Sequence, residues 1–211
     1  MKITKITQQK KDPNRVSIFL DNKFAFGLAN KFLVEFDLFK DKNIQEKEIA
    51  DILREDVGEK LKTKIYKLVL SRPRSEKEVR DYVQKKFREG RYKVEKEYWS
   101  ELTETIVTDL KELGLINDEE FARWFVENRK EFKPRGKRML QMELKQKGID
   151  DSVIQESLRL DNDDELEMAK RLVMKKEKSL MRYNDEKRKE KLNAFLQRKG
   201  FGWDTIKSVI E

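Results

Sequence analysis

Apolar positions along the first thirty residues alternate, whereas from Glu59 onward they recur every third or fourth position. In "RVSIFLDNKFAFGLA" the alternation puts Val16, Ile18 and Leu20 on one face of a strand, and Phe24, Phe26 and Leu28 on the matching face of the next. Asp21 and Asn22 stand at the turn of this predicted β-hairpin. A third strand is expected from "KITKITQQKKDPN", where Ile3 and Ile6 are apolar and Asp12, Pro13 and Asn14 give a turn signal. So small a sheet needs a covering helix. "LANKFLVEFDLF" and "IQEKEIADILRED" are the nearest candidates.

In the helical part, "EKLKTKIYKLVLSR" carries Leu61, Ile65, Leu68 and Val69 at helical spacing and stops before Pro73, which disfavours helix in the residue preceding it. Ser75 opens the next helix, with Val79, Val83 and Phe87 as its stripe. Ser75 and Glu78 fit a capping box, in which the hydroxyl accepts the amide three residues on and the carboxylate reaches back. After the less regular "REGRYKVEKEYW", Leu102, Ile106, Leu110 and Leu113 share a face and Gly114 is the expected stop. Asn117 caps a further helix, whose first turn is Asp118, Glu119 and Glu120. Phe121, Trp124 and Phe125 begin its buried face, and it ends by Pro134.

A repeat underlies this pattern. Aligning "LQMELKQKGIDDSVIQESL" with "LNAFLQRKGFGWDTIKSVI" pairs Leu140 with Leu192, Leu144 with Leu196, Lys147-Gly148 with Lys199-Gly200, Ile154 with Ile206 and Leu158 with Ile210, at one offset of 52. An offset of 61 pairs Pro134 with Pro73, Arg135 with Arg74, Gly136 with Ser75, Leu140 with Val79 and Leu144 with Val83. Each unit reads as a helix, a basic or polar break, a second helix ending near Lys-Gly, a tight turn and a third helix. The first unit has Lys86-Phe87 instead of Lys-Gly, with an insertion around Gly90 to Tyr98. The third lacks the proline and lengthens its first turn through "SLMRYNDEKRKEK".

The fold class expected is therefore mainly α: tandem three-helix repeats forming an elongated arch, preceded by a small N-terminal β-hairpin or three-stranded element. The expected segments are 1–58 for the N-terminal element and 59–117, 118–160 and 161–211 for the repeats. The shared positions are scaffold, and function is expected where the units differ.

Composition narrows the chemistry. With no cysteine and no histidine, thiolate or imidazole metal sites, cysteine nucleophiles and Ser-His-Asp catalysis are excluded. There is no phosphate-binding glycine loop and no recognisable pair of catalytic carboxylates, so a non-enzyme with no cofactor is expected. No long apolar run or signal-peptide pattern is present, and a soluble, cytoplasmic monomer is the expectation, with no membrane partner. Charged residues make up 43% of the chain, and the net charge of +8 points to an acidic partner such as nucleic acid or to good solubility alone. The charge is segregated: Arg129 to Lys147 holds eight bases and two acids and Lys187 to Lys199 six bases and one acid, whereas Tyr98 to Glu120 has seven acids and one base. "DNDDELE", Asp161 to Glu167, adds five acids.

"SRPRSEKEVRDYV", "LKELGLINDEEFARWFVENR" and "PRGKRMLQMELKQKGI" together resemble the RecX family of bacterial recombination regulators, over roughly Leu61 to the C-terminus. The resemblance implies a modulator, usually an inhibitor, of the RecA recombinase in recombination and DNA repair. Its tandem repeats would lodge in the groove of the RecA filament on DNA and suppress ATP hydrolysis and strand exchange. The rival reading of the basic segments is a general DNA-binding helical protein, for single or double strands, that acts by competing for DNA.

Lys133, Arg135, Lys137 and Arg138 surround a helix start, where free amides and the dipole favour a phosphate or an acidic patch of the partner. A solvated basic face is the plain alternative. Arg72 and Arg74 recur at the corresponding place. Lys145, Lys147, Arg198 and Lys199 lie near helix C-termini, where the dipole alone favours cations. Of the tryptophans, Trp124 reads as core, and Trp203, following Gly202 in a turn, as an exposed anchor or a lid.

Overall fold

The computed structural model describes residues 1–90, 95–159 and 162–210, so residues 91–94 of the insertion and the first residue of the acidic run at Asp161 lie outside the described residues. Strands β1 (Ile3–Gln8), β2 (Arg15–Leu20) and β3 (Lys23–Ala29) form an antiparallel meander in the order β1-β2-β3. Ten α-helices follow among the described residues. They are α1 (Lys31–Glu35), α2 (Glu46–Ser71), α3 (Glu76–Arg88), α4 (Lys96–Glu112), α5 (Asp118–Phe132), α6 (Lys137–Gln146), α7 (Asp151–Ser157), α8 (Asn162–Glu177), α9 (Asp185–Arg198) and α10 (Trp203–Ile210).

Two compact units share these elements: Met1–Leu68 with Val83–Ile106, and Val69–Tyr82 with Val107–Glu211. In the first, Asp21 (φ 48°) and Asn22 (φ 66°) make the tight turn of the predicted hairpin, since both types tolerate the left-handed conformation. Phe24 departs from the expectation. The register passes from Ile18↔Phe26 to Phe19↔Phe24, leaving Ala25 as an extra residue. This bulge turns Phe24 away from Phe26 and Leu28 to stack edge-on against Phe19, with ring centroids 5.9 Å apart. The true inner face joins Ile3, Val16, Ile18, Leu20, Phe26 and Leu28 to Phe32 of α1 and Ile52 of α2, so both candidate covering segments take part. Buried Asp56 of α2 accepts from both Nη atoms of Arg15 (3.0 and 2.9 Å) and from the Ala29 amide (3.0 Å), which fastens helix to sheet. α2 continues without a break across residues 58 and 59.

The second unit holds the core that the repeat describes. Leu140, Leu144, Ile149, Ile154 and Leu158, and their counterparts Leu196, Phe201 and Ile206, lie in one cluster with Phe121, Phe125 and Met168, and Trp124 packs against it. Each fully buried aliphatic side chain of this kind contributes about 1.5–3 kcal/mol. Gly148 (φ 80°) and Gly200 (φ 86°) end α6 and α9 in the left-handed conformation. The amides of Ile149 and Phe201 then return to the carbonyls of Leu144 (3.2 Å) and Leu196 (3.3 Å), the closing bond of a Schellman stop. Asn117 caps α5 as expected, its Oδ1 accepting from the amides of Glu119 (2.9 Å) and Glu120 (3.1 Å).

Candidate partner-binding site

Most of the predicted basic residues gather where the start of one repeat's second helix meets the Lys-Gly stop of the next repeat. This joint occurs twice within the second unit.

At the first joint, Ser75 is fully buried, and its hydroxyl donates to the Lys147 carbonyl (2.8 Å) while accepting the Glu78 amide (3.2 Å). That is half of the expected capping box. The Glu78 carboxylate is drawn elsewhere: it takes two bonds from Arg72 (3.0 and 3.1 Å) and one from the Lys147 ammonium (2.6 Å), with Arg74 at 3.9 Å. Burial alone would raise the Glu78 carboxyl, but the bonds from Arg72 and Lys147 outweigh it and hold it below the ordinary glutamate range. Arg72 also lies 5.5 Å from the Trp124 ring centre. The Glu76 amide, first of α3, donates to Asp118 Oδ1 (2.9 Å) from the following repeat.

At the second joint the same chain path is made differently. The Gly136 amide donates directly to the Lys199 carbonyl (2.9 Å), and a Cβ on Gly136 would stand 2.2 Å from the Gly200 oxygen. The Lys137 amide donates to Glu165 Oε1 (3.1 Å) of α8, so the α6 start that sequence offered to an anion is already capped. Met139 occupies the position of Glu78, one residue after Arg138 in the place of Lys77. Among the described residues Arg135 Nε has just a long ion pair to Glu143 (3.6 Å), whose tighter partner is Arg129 (2.7 Å). Lys199 has no carboxylate partner among the described residues and lies 5.5 Å from the Phe195 ring centre. Burial, and then the neighbouring charge of Arg135, push its ammonium below the ordinary lysine range.

The ten predicted cations therefore divide. Arg72, Arg74 and Lys147 are held by Glu78 in the first joint. Arg135 and Lys199 form a cationic pair at the second, with exposed Lys133 and Arg138 before and after Arg135 in sequence. Lys137 contributes its amide to the cap. Lys145 pairs with Asp151 (2.8 Å) and, with Arg138 and exposed Met142, lines a shallow concavity of about 400 Å³ on α6. Arg198 belongs to a different concavity on the third repeat. Sequence reasoning missed the acids Asp118 and Glu165, whose role as caps on the preceding repeat leaves no mark at any repeat offset. Trp203 is exposed, while Trp99 is buried.

Family models match three parts of the chain: the regulatory protein RecX N-terminal domain over residues 1–45, the RecX second three-helix domain over 117–158 and the RecX third three-helix domain over 163–210. The regulatory protein RecX of Bacillus velezensis is 36% identical over 99% of this chain and 76% of its own length. The chain belongs to the RecX family. The regulatory protein RecX of Clostridioides difficile is 31% identical, covering 99% of this chain and 93% of the relative. A crystal structure of regulatory protein RecX aligns with a TM-score of 0.64 at 29% identity, over 99% of this chain and 98% of the other. That of RecX from Lactobacillus salivarius gives a TM-score of 0.58 at 25% identity, over 74% and 96%. Both joints thus stand in a RecX-family chain with three-helix domains, in which no described helix is long and apolar enough to cross a membrane.

Proposed function

We propose that this RecX-family chain binds the RecA recombinase filament and inhibits its ATP hydrolysis and strand exchange, with the second joint as a principal contact. The observation that carries the site is the contrast between the joints: Glu78 satisfies Lys147 at the first, whereas at the second Lys199, beside Arg135, has no carboxylate partner among the described residues and Arg135 has the long pair to Glu143. Desolvated like charges are relieved by an anion, and a carboxylate supplied by the partner fits the vacancy that Glu78 fills one repeat earlier. Many moderate contacts spread over tandem repeats act together on a repeating partner, because each bound repeat raises the effective concentration of the next.

The test adds the purified chain to RecA on single-stranded DNA and follows ATP hydrolysis and strand exchange. Inhibition near stoichiometric concentration is expected, reduced by Arg135→Glu with the fold retained. Unchanged ATPase and strand exchange would sink the proposal. Adding the chain to preformed filaments and to bare DNA at physiological salt separates filament binding from competition for DNA, since only the former gives preference for the filament.

A further inference from the structure

The third repeat departs from the others between α8 and α9, where a 3₁₀ turn (Lys178–Leu180) leads through Arg182 and Tyr183 to Asn184. Leu180 is buried and anchors the turn, and the Tyr183 amide donates to its carbonyl (3.0 Å). The Asn184 side chain accepts the Lys187 amide (3.1 Å) and starts α9. The lengthened turn and the flank of α9 enclose a concavity of about 460 Å³, within the size range of nucleotide-scale sites. Four cations line it, Lys176, Arg182, Lys191 and Arg198, with one acid, Glu190. Among the described residues none of the four makes an ion pair.

Tyr183 organises two of them. The Arg182 guanidinium lies 5.0 Å from the centre of its ring and the Lys191 ammonium 4.7 Å, so the ring's negative faces hold like charges close together. A hydrogen bond from Arg182, its charge, and those of Lys191 and Lys187 also pull the Tyr183 phenol below its ordinary range. The wider field agrees. Residues 170–199 contain twelve bases and four acids, a net +8 that equals the net charge of the whole chain, so the remainder is neutral in sum. A uniformly charged polyanion is the partner such a concentrated field attracts.

From this placement we infer that the concavity bounded by Lys176, Arg182, Tyr183, Lys191 and Arg198 is a phosphate-binding site that takes the backbone of a single nucleic-acid strand. Arg and Lys neutralise the phosphate oxygens, and the tyrosine hydroxyl donates a further bond, the mixture of donors typical of backbone contacts. The inference is separate from the recombinase reading, and its test contains no recombinase.

The test measures fluorescence anisotropy of a labelled oligothymidylate titrated with the full chain over a series of salt concentrations. Binding that weakens steeply with salt is expected, and Arg182→Glu with Lys191→Glu should lower affinity by at least about tenfold and flatten the salt dependence by about two contacts. Tyr183→Phe should give a smaller loss. The same charge change in the β1–β2 turn, Lys10→Glu with Lys11→Glu, should cost much less. Circular dichroism checks the fold, and Arg182→Gln with Lys191→Gln serves if the reversal misfolds. Unlabelled ATP that displaces the strand at micromolar concentration would assign the same pocket to a free nucleotide and overturn the strand. Absence of oligothymidylate binding at physiological salt, equal losses in the two double variants, or polyglutamate binding as tightly as the strand would each overturn the site.

Discussion

The two joints solve one packing problem by different means. At the first, a buried hydroxyl spans the gap between the Ser75 backbone and the Lys147 carbonyl, and a carboxylate one turn later gathers the surrounding cations. At the second, the spacer is gone, backbone meets backbone through Gly136, and the carboxylate is replaced by Met139. The first joint is electrostatically closed and depends on side chains. The second is tighter in the backbone, and its Lys199 has no carboxylate partner among the described residues. Side-chain pairing and close backbone approach are thus divided between neighbouring repeats and not balanced within each.

The largest effect is expected from Gly136→Ala. Its Cβ would meet the Gly200 carbonyl at 2.2 Å, backbone against backbone, so the helices must separate at a cost of about 3 kcal/mol in urea unfolding. Ser75→Ala at the matching place removes two hydrogen bonds and leaves the Lys147 carbonyl unpaired, for about 1–2 kcal/mol. Reversal of that order would mean that the joints are built alike.

Glu78→Gln comes next, at about 1–2 kcal/mol near neutral pH, because Arg72 and Lys147 lose a largely buried counter-charge. The Glu78 carboxyl is lowered in the folded state, so its contribution is present above the ordinary glutamate range and is lost as pH falls through the folded value. Unfolding as a function of pH should therefore show a shallower acid limb in the variant.

Met139→Glu transplants the first joint's carboxylate to the second. A gain of up to about 1 kcal/mol is expected from pairing with Arg135 and Lys199, together with weaker inhibition of RecA, read by thermal melting and by ATP hydrolysis. Full inhibition with the added stability would remove the second joint from the contact. The smallest change is expected from Asp118→Asn. Burial, opposed by the Glu76 amide and reinforced by the Glu76 charge, raises the Asp118 carboxyl, so its charged form costs stability that is lost as pH rises through the folded value. Asparagine keeps the oxygen that caps Glu76 without that charge, and urea midpoints at neutral pH should be equal to wild type or slightly higher.

Periodicity carried the scaffold well because burial and helical spacing are the same fact seen twice: Leu144 and Leu196, Ile149 and Phe201, and Ile154 and Ile206 lie in one core, and the two Lys-Gly stops have the positive φ that glycine permits. Local capping by Asn117 was equally legible, since donor and acceptor are two and three residues apart. Phe24 was misplaced because a single extra residue, Ala25, reverses the alternation on which face assignment rests. The acids that cap neighbouring helices were invisible for another reason. Glu76 finds Asp118 at a separation of 42, and Lys137 finds Glu165 at 28, so the contact recurs in space without recurring in spacing. Of the candidate cations, the pattern could show that they cluster but not which had already found an acid. The pocket at Arg182 and Tyr183 lies in the lengthened turn, where no template from the other repeats applies.

The caps on α3 and α6 also give the array a direction. Each of these helices is finished by a carboxylate from the segment after it, Asp118 for α3 and Glu165 for α6, whereas α9 is finished by Asn184 from its own approach. Both borrowed caps reach upstream. Cutting the chain before α8 would reopen the start of a helix that remains, while removing an earlier repeat would leave the cap of α9 intact, so the loss of a cap falls on the repeat before the cut and not on the one after it.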